Sequence, residues 1–395
     1  MVSRRLLSEG LFSNLPKHCC YSVCSRLFSS APYKHDGITI TKTTTPGTKP
    51  DPSTLKFGHT FTDHMLSANW TEAKGWEPPK ITPVQNLSLH PAAPAFHYAI
   101  ELFEGLKAFY GVDGKVRLFR PDMNCKRLNR SAELACLPQM DNEELLKSMI
   151  ELIKLDMDWT PKAPDCSLYI RPTMIGTNAS LGVSKATSAM FYTLLCPVGP
   201  YFTTGTFNPV SLYCDPQFVR SWPGGNGAAK MGSNYGPTIR TQLVAEEKGH
   251  QQVLWLFGED HQLTEVGTMN LFVHWVNENG EPEIATAPLD GLILPGVTRD
   301  SILKLANSWG THKVTERIIR MNDVKKALKE GRLKEMFGAG TACVVCPVKS
   351  INFLDEMLDI PTMESGCVVA KRAYKELTDI QFGRAPHKEW TILLE

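Results

Sequence analysis

Apolar residues recur along this chain with two periods. Leu145, Met149, Leu152 and Ile153 form one stripe of a helix opened by Asp141-Asn142-Glu143-Glu144, where Asp141 caps and Glu144 reaches back in a capping box. The same spacing predicts helices over Thr298–Trp309, ended by Gly310, over Asn322–Glu330, ended by Gly331, and from about Val368 to Ile380. Continuous apolar runs predict strands at Ser167–Arg171, Met190–Val198, Val253–Phe257 and Leu271–Trp275, the second buried on both faces. Strands and helices mix without strict βαβ alternation. The predicted fold is therefore α+β, with mixed sheets in two domains.

The pattern is interrupted in two places. Residues 1–35 carry Arg4, Arg5, Lys17, Arg26 and Lys34 but one acid, Glu9, with frequent serine and with Leu7, Leu11 and Leu15 four residues apart. That composition reads as an organelle transit peptide and flexible leader, and its arginines favour the mitochondrion. A disordered tail of biased composition is the alternative. Residues 36 to about 55, rich in Thr, Pro and Lys, read as a loose lead-in, so structure is expected to begin near Phe57. The second interruption runs through Gly199-Pro200-Tyr201 and Thr203-Thr204-Gly205-Thr206, and apolar periodicity restarts at Val210. It divides the chain into a small N-terminal α/β domain (36–202), a linker (203–209) and a larger C-terminal domain (210–395).

The 395 residues are enough for two domains with large cores. Basic and acidic side chains number 42 and 41, a balance that gives no electrostatic footprint for nucleic acid. No apolar run reaches the length of a bilayer span. The 11 cysteines are scattered and form no disulfide framework, which favours free thiols in a reducing compartment.

The candidate chemistry centres on Lys230. It closes the flexible stretch Gly224-Gly225-Asn226-Gly227-Ala228-Ala229 and precedes Gly232-Ser233-Asn234-Tyr235-Gly236. The segment fails as a nucleotide P-loop, because Ala229 and Met231 stand where Gly and Ser or Thr are required. Downstream, Glu265 is an acid within a small, mostly uncharged run, Thr264 to Asn270. A desolvated lysine with a buried acid suits pyridoxal phosphate: the amine forms a Schiff base and later moves a proton, and the carboxylate keeps the pyridine ring protonated. Tyr235 offers a phenol for the ring oxygen. Gly291 to Thr298 runs directly into a helix, whose first N–H groups at Val297 and Thr298 would favour a dianion. Gly338-Ala339-Gly340-Thr341-Ala342 offers a second loop of donors, and Arg127 a cation for the phosphate. Taken singly, each has a plainer reading: a surface lysine beside a glycine turn, a strand-end glutamate in water, a core tyrosine, a helix cap.

Together these motifs resemble the branched-chain amino acid aminotransferases, pyridoxal phosphate enzymes of fold-type IV, over about Phe57 to Trp390. The likeness is carried by Phe103-Glu104-Gly105-Leu106-Lys107-Ala108-Phe109, by Lys230 with Asn234-Tyr235-Gly236-Pro237-Thr238, and by Leu263 through Asn270. Leu294-Pro295-Gly296-Val297 and Gly340-Thr341-Ala342-Cys343 add to it. The animal mitochondrial form is close. The Gly-rich stretch before Lys230 departs from the bulkier sequence more common in the family.

The resemblance implies that the cofactor, pyridoxal 5'-phosphate, sits between two domains. Lys230 would be the Schiff-base lysine, Glu265 the pyridine partner and Tyr235 the partner of the ring oxygen. Arg127, Val297, Thr298 and Thr341 would hold the phosphate end, with Thr268 also at the cofactor. Phe57, Tyr98, Phe103, Tyr169, Arg171, Tyr201, Thr268 and Ala342 would form the substrate pocket, with Leu181 and Val183 entering from the other subunit of a homodimer. The implied reaction moves the amino group of L-leucine, L-isoleucine or L-valine to 2-oxoglutarate, in the mitochondrial matrix, with a 2-oxo acid dehydrogenase complex as a further partner. Cys343 and Cys346 would be a redox pair; two buried, unreactive thiols are the alternative. No second C-x-x-C completes a zinc site. The rival readings are a same-fold transaminase for D-amino acids or amines, and a redox-sensing or partner-binding protein on an inactive scaffold.

Overall fold

The computed structural model describes residues 31–199, 207–385 and 387–394. Residues 1–30 of the expected 1–35 leader lie outside these ranges, as do Tyr201 and residues 203–206 of the expected linker. Within the described residues the fold is α+β with two mixed sheets, as the apolar pattern predicts.

The first sheet takes β1 (Thr39–Ile40), β2 (His64–Thr71), β3 (Gly75–Trp76), β4 (Lys80–Pro83), β5 (Glu101–Phe103), β6 (Leu106–Tyr110), β7 (Val116–Phe119), β8 (Ser167–Gly176) and β9 (Ser188–Val198). Helices α1 (Pro94–Tyr98), α2 (Pro121–Leu134) and α3 (Asn142–Leu155) belong with it. Leu145, Met149, Leu152 and Ile153 of α3 and Leu128 and Ala132 of α2 join Leu66, Trp70, Ile170 and Phe191 in one core.

Three expectations change here. Asp141 does cap α3, accepting from the N–H groups of Glu143 and Glu144, but the capping box does not form. Glu144 instead accepts from the His35 N–H at 2.8 Å and from Lys147 at 2.8 Å. Residues from Ala31 onward are docked, so structure begins well before Phe57. Tyr33 is fully buried edge-on against Trp76, Ala31 bridges Gly75, and Thr39 and Ile40 pair with Lys80 and Ile81. Finally, β9 is not buried on both faces throughout. Ala189, Phe191, Thr193 and Leu195 are buried while Met190, Tyr192 and Leu194 are half-buried, the alternation of an antiparallel sheet packed more heavily on one face.

The second sheet takes β10 (Val210–Cys214), β11 (Gln252–Phe257), β12 (Gln262–Val266), β13 (Met269–Val276), β14 (Pro282–Thr286), β15 (Lys313–Glu316), β16 (Leu333–Gly340), β17 (Val344–Phe353) and β18 (Glu356–Asp359). Its order is β12-β11-β10-β17-β16-β13-β14-β15, and an extra β12–β13 pairing closes six of these strands into a ring. Helices α4 (Thr238–Glu247), α5 (Val297–Trp309), α6 (Met321–Lys329) and α7 (Val368–Gln381) pack around it. Gly310 and Gly331 end α5 and α6 in the left-handed region, φ +65° and +67°. The last strand, β19 (Thr391–Leu394), crosses back to pair with β7 of the first sheet. The chain's end thus ties the two halves together. No helix of the described residues is long and apolar enough to cross a membrane.

Candidate active site

Lys230 lies between the two sheets because its neighbours are apolar enough to be pulled into the first core. Ala229 and Met231 are buried there. Its backbone is held from both sides: the Lys230 N–H donates to Ser131 Oγ of α2 at 2.9 Å, and the Lys230 carbonyl accepts from the Phe103 N–H at 3.0 Å. The half-buried side chain donates from Nζ to Tyr235 Oη at 3.0 Å and lies over the rings of Phe103 (4.7 Å) and Tyr235 (5.1 Å). An amine so placed is fixed in direction, and among the described residues no carboxylate pairs with it.

Glu265 is fixed by a two-residue turn. Gly267, at φ +55°, and Thr268 join β12 to β13, and the resulting register puts Glu265 opposite Asn270 on one face. The positive φ favours glycine at 267, where a Cβ would also displace the Gln252 amide, 1.9 Å away. The Glu265 carboxylate is 2% exposed. Its Oε1 accepts from the Leu294 N–H at 2.7 Å and from Asn270 Nδ2 at 3.3 Å, and its Oε2 stands 3.3 Å from Arg220 Nε. Burial raises its pKa, against the opposing pull of Arg220 and the Leu294 N–H.

A second buried carboxylate, Glu104, governs the other end. Arg127 of α2 donates to it from Nε (2.7 Å) and Nη2 (2.9 Å) and from Nη1 to the Pro295 carbonyl (3.0 Å). Asn124 Nδ2 completes the cradle at 2.8 Å. Burial pushes the Glu104 pKa up, but the Arg127 pair outweighs it and holds the carboxyl below its usual range. Beyond Pro295, Gly296 leads into α5, whose first turn has no side-chain cap. Its N–H groups have no intrahelical acceptor, and Gly296, Val297 and Thr298 line the cleft together with Arg127. A dianion would be stabilised there by the helix terminus and the guanidinium.

The cleft is about 300 Å³ and is also lined by Lys230, Tyr235, Thr268, Thr341, Ala342, Phe57, Phe103, Tyr169, Arg171 and Cys343. Arg171 donates to Tyr169 Oη at 3.1 Å and lies over the Phe103 ring at 4.8 Å, while Phe57 meets Tyr169 edge-on at 4.8 Å. Glu265 borders the cleft from behind Asn270 and Leu294, which do line it. Tyr98, Leu181, Val183 and Cys346 are not among the lining residues. Tyr98 ends α1 with its phenol donating to the Leu181 carbonyl, and Leu181 and Val183 are 64% and 83% exposed. In a single chain these three form an exposed apolar edge. Gly338–Gly340, read from sequence as loop, is the end of β16, and the turn itself is Thr341–Cys343.

Behind that turn, buried Lys107 donates from Nζ to the Ala342 carbonyl at 2.9 Å, and burial lowers its pKa to about 8. Cys343 contacts Met269 Sδ at 3.2 Å, and Cys346 is fully buried at the start of β17. Burial pushes the Cys343 thiol up to about 12 and the Cys346 thiol higher still. No group of His, Cys, Asp and Glu able to hold a metal occurs among the described residues.

Sequence reasoning missed Glu104, Arg220, Asn270 and Ser131 as parts of this site. Glu104 carried a signal, an acid within the run Leu102–Phe109, where Lys107 is the other charged residue. Asn270 carried one too, since a two-residue turn at 267–268 places it opposite Glu265. Arg220 and Ser131 are recognisable only once the chain is folded.

The family described as amino-transferase class IV matches residues 101–351. The cytosolic branched-chain-amino-acid aminotransferase of Ovis aries is 57% identical over 360 residues, 91% of this chain and 93% of that protein. The mitochondrial branched-chain-amino-acid aminotransferase of Rattus norvegicus is 52% identical over 364 residues, 92% of each. Cytosolic and mitochondrial relatives thus stand at similar identities and do not place this chain in either compartment. Among solved structures, the Escherichia coli branched-chain amino acid aminotransferase matches with a TM-score of 0.67 at 23% identity, over 83% of this chain and 99% of that one. That of Thermobaculum terrenum, solved in its PLP-bound holo form, matches with a TM-score of 0.64 at 18% identity, over 83% and 98%. At those identities the likeness concerns the fold.

Proposed function

Because the chain belongs to the class IV aminotransferases, and within them to the branched-chain amino acid aminotransferases, we propose that it moves the amino group of L-leucine, L-isoleucine or L-valine to 2-oxoglutarate. The observation that carries this is one cleft in which the Lys230 amine, the Tyr235 phenol and an Arg127-flanked helix terminus converge, with the Glu265 carboxylate behind its wall. This donor set fits pyridoxal 5'-phosphate: an amine for the aldehyde, a buried acid for the ring nitrogen and an uncapped helix start for the phosphate. When bound, the cofactor supplies an aldehyde and an electron-withdrawing ring. Lys230 would hold it and, once displaced by the substrate's amino group, would take the proton from the substrate's α-carbon at Nζ. Glu265, with Arg220 and the Leu294 N–H as supports, holds the ring N–H. Tyr235 orients the ring oxygen. Arg127, Val297, Thr298 and Thr341 would hold the phosphate, with Thr268 also at the cofactor.

Phe57, Phe103, Tyr169, Arg171 and Ala342 form the side-chain and carboxylate pocket, an aromatic wall with a few polar groups that suits branched aliphatic substrates. Tyr98, Tyr201, Leu181 and Val183 complete it in a homodimer. The exposed edge at Tyr98, Leu181 and Val183 is what such a partner would cover. The reaction is ping-pong, the first 2-oxo acid leaving before the second enters. The arginine-rich leader supports a mitochondrial matrix location, where a 2-oxo acid dehydrogenase complex is a further partner. Cys343 lines the cleft and Cys346 follows it in β17, a placement that lets oxidation of the pair reach the active-site turn. Their raised pKa values make that oxidation slow.

Turnover of L-leucine with 2-oxoglutarate, compared with D-alanine and a chiral amine, tests the reading. Activity confined to the branched L-amino acids is expected. Preference for D-alanine or the amine would favour the same-fold rival, and a protein colourless even with added pyridoxal phosphate the inactive-scaffold rival.

A further inference from the structure

The anion cup at the end of the cleft is assembled from two elements of different sheets. Arg127 comes from α2, which packs on the first sheet, and the uncapped N–H groups come from α5 beside the second. A cup of this kind binds well only if the two elements keep a fixed spacing, since misplacement of donors by about an ångström is costly. Arg120 stands where that spacing is set. It is the N-cap of α2, at φ +46°, and its side chain is only 6% exposed. Nη1 donates to Ser301 Oγ at 2.6 Å, and Nη2 pairs with Asp300 Oδ2 at 2.6 Å. Ser301 Oγ in turn donates to the Val297 carbonyl at 2.8 Å, in the turn that lines the cleft. The indole of Trp390 stacks on the guanidinium at 4.7 Å, and the Trp390 carbonyl accepts from the Arg120 N–H at 2.8 Å. The arginine is thereby shielded from water on the side away from α5.

Arg120 and Arg127 are seven residues apart, the first at the cap of α2 and the second in its second turn. Arg127 grips the Pro295 carbonyl just before α5, and Arg120 grips Asp300 and Ser301 just inside it. The start of α5 is therefore held at two points, by α2 and by its cap. We propose that Arg120 is a positioning residue for the phosphate end of the cofactor: it sets the distance between Arg127 and the first turn of α5 without touching the ligand. This rests on the reading that pyridoxal phosphate occupies the cleft.

The test compares cofactor-free wild-type protein with the Arg120→Lys and Ser301→Ala variants. Dissociation constants are measured for pyridoxal phosphate and for pyridoxal, which lacks the phosphate. Arg120→Lys keeps the charge but loses the two-pronged grip, and its affinity for pyridoxal phosphate is expected to fall about tenfold, with about threefold for Ser301→Ala. Affinity for pyridoxal should change by less than about twofold in both. Unchanged pyridoxal phosphate binding in Arg120→Lys, or equal losses for both aldehydes, would overturn the proposal. Should Arg120→Lys not fold, Ser301→Ala decides by the same ratio. A wild-type protein that binds neither aldehyde would instead refute the cofactor reading itself.

Discussion

Arg220 Nε stands 3.3 Å from Glu265 Oε2, with both side chains almost wholly buried. The arginine also reaches the carbonyls of Gly227 and Leu292, so it joins the glycine-rich segment before Lys230 to the acid. Truncating it in Arg220→Leu leaves Glu265 buried without its nearest cation, and stability in urea should fall by about 3–5 kcal/mol. Replacing both partners in Arg220→Leu/Glu265→Gln should cost less than the single change. A single variant within about 0.5 kcal/mol of wild type would show that the pair carries no such weight.

Because the folded pKa of Glu265 is raised, the native state holds its proton to higher pH than the unfolded chain. This group's contribution to stability therefore falls as pH rises from the ordinary glutamate range through its raised value. In a cofactor-free Glu265→Gln variant that part of the slope should vanish.

Glu104 has the opposite sign. Its folded pKa is depressed, so its contribution is present above the unfolded value and lost as pH falls through the folded one. Glu104→Gln leaves Arg127 buried beside a neutral amide and should cost about 3 kcal/mol at pH 7. The gap from wild type should narrow in acid, as wild-type Glu104 takes up its proton. Thermal melts from pH 7 to pH 3 read both effects, and a gap independent of pH would refute the assignment.

Lys107 is a buried ammonium whose pKa has dropped from 10.5 to about 8. Below about pH 8 the folded state bears the whole cost of keeping it charged. Wild type should therefore gain stability relative to Lys107→Met as pH rises from about 8 to about 10.5, by up to about 3 kcal/mol. A difference that stays flat across that range would place the lysine in a wetter site than the one described.

Among the described cysteines Cys136 is exposed, whereas Cys343 and Cys346 are buried with raised pKa values. Iodoacetamide at about pH 7.5, which reacts with the thiolate form, should label Cys136 far faster than either. Labelling of Cys343 as fast as Cys136 would show a reactive thiol at the active-site turn and strengthen the redox-switch reading.

Where apolar spacing is regular, the fold was readable before the chain was seen folded. Gly310 and Gly331 end their helices where the pattern places the stops, and both are left-handed. Helix α2 escaped that pattern because Leu128 is the one large apolar side chain on its buried face, beside Asn124, Cys125, Arg127, Ser131 and Ala132. The docking of Tyr33 escaped as well, since one aromatic in a polar stretch carries no period. At the site, the motif residues Lys230, Tyr235, Thr268, Val297 and Thr341 do meet in one cleft. The groups that hold the charged ones in place, Glu104, Arg220 and Arg120, are brought there by packing between distant segments, and local spacing cannot show it.

The amine at position 230 tests the account most directly. The holoprotein is reduced with borohydride and digested, and the peptides are read by mass spectrometry. A phosphopyridoxyl group on Lys230, absent from a Lys230→Ala variant, is the predicted result. The same group on another lysine, or on none, would contradict it.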